Sequence, residues 1–170
     1  MTQAITHMLD AQSFACLLAT GRMTDIAARG SWRFGMVKRV LRDVTGLYDN
    51  LGGVRGAFRP LDFSQEVASG ALEVVERLKP AELELAVQLQ GMQGLGASSA
   101  QTLAVAVQRG RWLVSDDFLL SRIAKGYSSR GFQQRVLEVL SDHCAESGLD
   151  YIQCLVETLH IRTGFLTLKT

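Results

Sequence analysis

Apolar positions along the chain change their period several times, and each change marks an element. Ile5–Leu9 is a short apolar run that stops at Asp10, the pattern of a buried strand with an acid at its end. Ser13 opens a helical stretch, Phe14–Ala19, closed by Gly21, and Thr24–Ala28 reads as one more helical turn. Trp32–Met36 predicts a second strand. Val37, Val40, Leu41 and Val44 follow at helical spacing, with Lys38, Arg39 and Arg42 on the other face. Gly46–Pro60 is rich in glycine and weakly periodic, which predicts a loop excursion over residues 45–65.

Phe63–Ser69 reads as helix, and Ala71–Leu78 as a strand because of its valines. Pro80 suits the first turn of a helix running to Gln90, with Glu82 and Glu84 near its positive end. Gly91, Gly94 and Gly96 form a connector without GxGxxG spacing, so a dinucleotide fingerprint is not supported. Ser98 or Ser99 is placed to cap a helix that runs to Gln108 and ends at Gly110. Arg111–Ser115 predicts a strand that stops at Asp116-Asp117, and Phe118–Lys125 a helix. Helices over Phe132–Glu146 and Tyr151–His160 and a strand-like run, Phe165–Leu168, complete the chain. Alternating strands and helices predict an α/β fold with a mostly parallel sheet in a single domain spanning 1–170.

Composition changes this picture little. The 170 residues are 47% hydrophobic and 21% charged, ordinary for one globular domain with a sizeable core. Three cysteines, Cys16, Cys144 and Cys154, are far apart and without CxxC spacing, which disfavours structural zinc and a disulfide framework. No secretory leader stands at the N-terminus, and no apolar run approaches the ~18 residues of a membrane span. A cytoplasmic protein without membrane contact is expected.

Charge has more to say. The formal net charge is only +1, so contact with nucleic acid must come from local patches. Eight basic residues stand against three acids between 21 and 60, including Arg33, Arg39 and Arg42, whereas 61–100 holds six acids against Arg77 and Lys79. Two solvated helix faces of opposite sign explain this, and so does a basic RNA-facing lobe.

Candidate chemistry lies where two apolar strands each end in acid, at Asp10 and at Asp116-Asp117. In a parallel sheet the carboxyl ends of the strands share one edge, where ligands bind. Carboxylates converging there repel one another unless a cation neutralises them, which favours Mg²⁺ or Mn²⁺ on oxygen ligands. Such a cation polarises phosphate and activates water. Acids at strand ends also serve as helix caps, so both uses stay open for Asp10, Asp116 and Asp117. His7 inside the first strand reads as a packed residue. His143 has no second ligand at metal spacing, and Arg130 reads as a solvated loop arginine.

A resemblance adds to this. Met8–Met23, with LDAQSFACLLATGRM, is similar to the opening of PIN domains. VASGALEVVERL at 67–78, Glu82–Ala86, and GLGASSAQTLAVAVQRGRWLVSDD at 94–117 resemble the second half, and YIQCLVETLHIRTGFLTL resembles the end of a PIN-like subgroup. The resemblance spans most of the chain and is weakest at 45–65. It implies a three-layer α/β/α domain and a Mg²⁺- or Mn²⁺-dependent endoribonuclease. It also implies the toxin of a toxin–antitoxin pair, with RNA as substrate, an antitoxin protein as partner and a homodimer as its assembly. Residue by residue, it assigns Asp10 as the first acid, Asp43 in VLRDV as the second, and Asp116 or Asp117 as the last. The third acid should open the helix after the glycine-rich turn, and there this chain has Ser99. Serine is a neutral, poor ligand for a hard cation. Either metal binding is weakened, or another group substitutes, or the fold serves as a non-catalytic binding module.

Overall fold

The computed structural model describes residues 4–127, 133–136, 138–140, 159–160 and 162–163. Their strands and helices follow in chain order. β1 (His7–Leu9) leads to α1 (Ala11–Ala19) and α2 (Met23–Gly30), then to β2 (Phe34–Val37) and α3 (Val40–Asp43). A hairpin, β3 (Gly46–Leu51) and β4 (Val54–Pro60), is followed by α4 (Ser64–Ala68) and β5 (Leu72–Val75). α5 (Pro80–Gln93) and α6 (Ala97–Arg109) precede β6 (Trp112–Val114), α7 (Phe118–Ala124), a 3₁₀ turn (Lys125–Tyr127) and β7 (Gln133–Gln134).

Five strands make one sheet in the order β5-β2-β1-β6-β7, and all four pairings are parallel. The chain moves outward one way from β1 to β2 and β5, then returns to the other side of β1 with β6 and β7. Right-handed crossovers in opposite directions place their helices on opposite faces of the sheet. The fold is therefore α/β with a parallel sheet flanked by helices. α6 packs across β1, β2 and β6, and α5 packs on α6. Met8, Phe14, Phe34, Met36, Leu72, Leu103 and Leu113 fill the core with essentially no exposure.

Most predicted elements are present with shifted ends. Ala71–Leu78 shortens to β5, Trp32–Met36 becomes β2, and α2 runs for eight residues rather than one turn. Only Val40–Asp43 of the 37–44 run is helical, because Val37 is taken into β2 and pairs with Val75. α5 extends to Gln93 and is closed by Gly94 in the left-handed region. Gly96, not Ser98 or Ser99, occupies the cap position of α6.

The expected loop within 45–65 is corrected most. It is an antiparallel hairpin that pairs Leu51 with Val54 across Gly52-Gly53, both at positive φ. Two adjacent residues at positive φ make the tight turn whose twist suits antiparallel strands, and Gly-Gly adopts it without steric cost. At its other end Gly46 lies against the Arg59 carbonyl and the Phe58 ring, in the space a Cβ would need. Gly46→Ala is expected to cost about 1–3 kcal/mol, read as a lower midpoint in thermal unfolding.

Gln133 and Gln134 lie in a strand rather than at the start of a helix. Most of the predicted tail elements fall outside the described residues: 141–158 and 164–170, with His143, Cys144, Cys154 and Phe165–Leu168, and Arg130 earlier in the chain. Among the described residues no helix is long and apolar enough to cross a membrane.

A candidate metal centre at the carboxyl edge of the sheet

β1 and β6 are neighbours, yet the chain leaves them in opposite directions. This is the switch point of the sheet, where a crevice opens outside the carboxyl ends of the strands. The β1–β6 register pairs Leu9 with Val114, and the Asp10 N–H continues the ladder to the Val114 carbonyl. Asp10 therefore stands beside Ser115, and Asp116 follows at the same edge.

Asp10 is 2% exposed. It caps α1, its Oδ1 accepting the Ser13 N–H at 2.7 Å, while Oδ2 accepts the Ser115 hydroxyl. Burial pushes the Asp10 carboxyl above the ordinary range. The bonds from Ser115 and Ser13 pull it back, and the charge of Asp116 adds to the rise. Capping and site membership thus coexist in one residue.

Asp116 has a side chain 3% exposed. Its Oδ1 accepts Arg135 Nε at 3.2 Å, and its Oδ2 is buried with no hydrogen-bond partner. Burial raises its pKa, against the hydrogen bond and charge of Arg135 and a bond from the Val136 backbone, with Glu138 adding to the rise. Asp117 is used differently: its carboxylate caps α7, accepting the Leu120 N–H at 2.6 Å. Of the adjacent aspartates, Asp116 is the one with the buried side chain and Asp117 the one that caps the helix.

Asp43 ends α3, beyond the carboxyl end of β2, and accepts the hydroxyl of Ser98. Ser98 is in the first turn of α6, a helix that runs antiparallel to the strands and so begins at this same edge. The side chain facing an acid is therefore that of Ser98, whereas Ser99 makes no such contact among the described residues. The helix starts at Ala97 after a glycine cap, so Ser98 and Ser99 both stand in its first turn.

The three expected RNA-binding arginines divide. Arg39 and Arg42 lie on or beside α3 at the carboxyl edge. Arg33 precedes β2, at the opposite edge, and pairs with Glu73 at 2.9 Å, so the basic segment is not a single surface. His7 is buried between Trp32 at 4.7 Å and Trp112 at 6.3 Å, and burial lowers its pKa to about 4 despite a bond to Gln134. It is neutral at physiological pH and serves packing. A cavity of about 300 Å³ lined by Thr24, Ser31, Trp32 and Ser69 lies at the amino ends of β2 and β5, away from the acids.

Among the described residues no three His, Cys, Asp or Glu side chains gather at metal-ligand spacing. Two buried carboxylates remain, Asp10 and Asp116, and the partnerless Asp116 Oδ2 is the acceptor a cation would satisfy. Mg²⁺ commonly binds through one or two carboxylates, completing its shell with water and substrate phosphate, so this donor set fits it. Ser115, Ser98 and Arg135 complete the surroundings. Ser115 is visible in the sequence only as the residue before the aspartates, and Arg135 has no sequence signal at all, since β7 must first dock beside β6.

A mostly parallel sheet between helices, with acids at its carboxyl edge, is the arrangement the PIN resemblance implies. No family profile and no curated protein sequence matches the chain. Among solved structures, the chain is similar to a PilT N-terminus domain protein, SSO1118, from Sulfolobus solfataricus P2, at 12% identity and TM-score 0.48, over 81% of this chain and 92% of that one. It is also similar to PAE2754 from Pyrobaculum aerophilum, at 17% identity and TM-score 0.48, over 84% and 99% of the two chains. Likeness at this level transfers no residue role and no activity to this chain.

Proposed function

We propose that this chain is a divalent-metal-dependent endoribonuclease in which Asp10 and Asp116 hold Mg²⁺ or Mn²⁺. The observation that carries the reading is the pair of buried carboxylates at the switch point, one of them with an oxygen left partnerless. A bound cation supplies neutralisation of phosphate charge and activation of water. The chain's own part is positioning. Ser115 and the Ser13 N–H fix the orientation of Asp10, and the Asp117 cap fixes the turn that carries Asp116. Arg39 and Arg42 carry no ion pair among the described residues, and in this reading they attract the phosphate backbone. The toxin role, an antitoxin protein as partner, a homodimer and a cytoplasmic setting rest on the sequence resemblance and composition alone.

A second reading, a PIN-like binding module without catalysis, is favoured by one observation: Asp43 meets the hydroxyl of Ser98 where a further acid would complete the ring. The two readings separate on one substitution. Ser98→Asp puts a carboxylate beside Asp43, and if the cation site is functional, Mn²⁺ affinity measured by calorimetry rises roughly tenfold. Ser99→Asp should leave it unchanged. No gain from either favours the non-catalytic module, and a gain from Ser99→Asp alone would return the gap to that position.

A further inference from the structure

Arg135 follows β7 and reaches Asp116 from the far side of β6. The register that pairs Leu113 with Gln133 and Val114 with Gln134 brings Arg135 level with the turn after β6. Its Nε donates to Asp116 Oδ1 at 3.2 Å, but its side chain is 53% exposed while that of Asp116 is 3% exposed. The Arg135 backbone is held separately, its N–H donating to Glu138 Oε2 at 2.9 Å. An exposed guanidinium thus hangs from an anchored backbone, against a buried carboxylate. The other oxygen of that carboxylate is buried and unpartnered.

We propose that Arg135 is the resident counter-ion of Asp116, and that a divalent cation entering the site must displace it. This rests on the reading that Asp10 and Asp116 hold the cation. A buried carboxylate needs a compensating charge in the metal-free protein, and Arg135 provides it. The same positive charge repels an arriving cation. Arg135 is therefore a positioning residue that keeps the empty site folded and sets how much metal is needed to fill it. The Lys38–Glu76 and Arg59–Asp49 pairs differ, because there both partners are substantially exposed and neither acid lies in a crevice.

The test is a Mn²⁺ titration by calorimetry of the full chain, slightly above neutral pH, comparing wild type with Arg135→Met and Arg135→Lys. Arg135→Met is expected to bind Mn²⁺ about fivefold tighter, the order of an exposed ion pair. Arg135→Lys, which keeps the charge, should stay near wild type. A purely structural arginine predicts the reverse, a weaker site on its loss. Should the methionine variant unfold, Arg135→Gln keeps a hydrogen bond to Asp116 without the charge and should show the same gain. Wild-type binding with equal or weaker binding by the neutral variants overturns the inference and leaves the cation site standing. Absence of binding in wild type and in every variant overturns the cation site itself, and the inference with it.

Discussion

Asp10→Asn is expected to lower metal-dependent RNA cleavage by about two orders of magnitude or more, and to raise the melting temperature of the metal-free protein at neutral pH. The loss follows because the amide removes one of two carboxylates that neutralise the cation. The gain follows from burial. Asp10 has a raised pKa in the folded state, chiefly through desolvation, so the folded chain holds its proton more tightly than the unfolded chain does. Stability from such a group is fully present below the unfolded pKa and is lost as pH rises through the folded pKa. At neutral pH the penalty for a buried negative charge is therefore in force, and asparagine removes it while keeping an oxygen for the Ser13 N–H. Thermal unfolding across the acidic range should show the two proteins converging as pH falls. A variant that loses activity and also loses stability at neutral pH would assign Asp10 to the cap rather than to a site that trades stability for function.

Arg109→Ala carries the largest expected effect on stability. Glu82 is 1% exposed, and Arg109 meets both its oxygens, at 2.6 and 3.1 Å. Glu82 also accepts the Lys79 N–H at 2.7 Å, in the capping box of α5. Burial pushes the Glu82 carboxyl up, but the bonds from Arg109 and Lys79 and the nearby positive charges outweigh it, and its pKa is lowered. Removing the guanidinium leaves a buried charge with one remaining bond, a loss of about 3 kcal/mol in urea unfolding, at the low end for buried pairs because Arg109 is partly exposed. The sign with pH is opposite to that of Asp10. A depressed carboxylate contributes stability above its unfolded pKa, and this contribution disappears as pH falls through the folded pKa. Replacing both partners by Met and Leu should recover most of the loss, since neither charge is then stranded.

How much of this was legible depended on whether a residue's role was local. Asp10 could be read because an apolar run and the acid that ends it are adjacent in sequence. Asp116 and Asp117 could be read only as a pair: which one caps the helix is decided by the first turn of α7, where the Asp117 carboxylate meets the Leu120 N–H. The Ser98–Asp43 contact spans 55 positions and depends on where α6 starts, so no local pattern could show it. The hairpin at 46–60 did carry a local signal, Gly52-Gly53 between Leu51 and Val54, masked by two further glycines and little alternation. Arg33 was grouped with Arg39 and Arg42 by charge density, although it comes before β2 and they come after it. Strand polarity then sends them to opposite edges. Arg135 was beyond reach, since its partner is supplied by the docking of β7.

The proposed cation site rests on Asp10 and Asp116 together. Calorimetric titration of Mn²⁺ into the wild-type chain and into the Asp10→Asn/Asp116→Asn double variant tests it most directly. Saturable binding by wild type that the double variant loses is the expected result. Absence of heat from wild type up to millimolar Mn²⁺, or equal binding by the double variant, would contradict it.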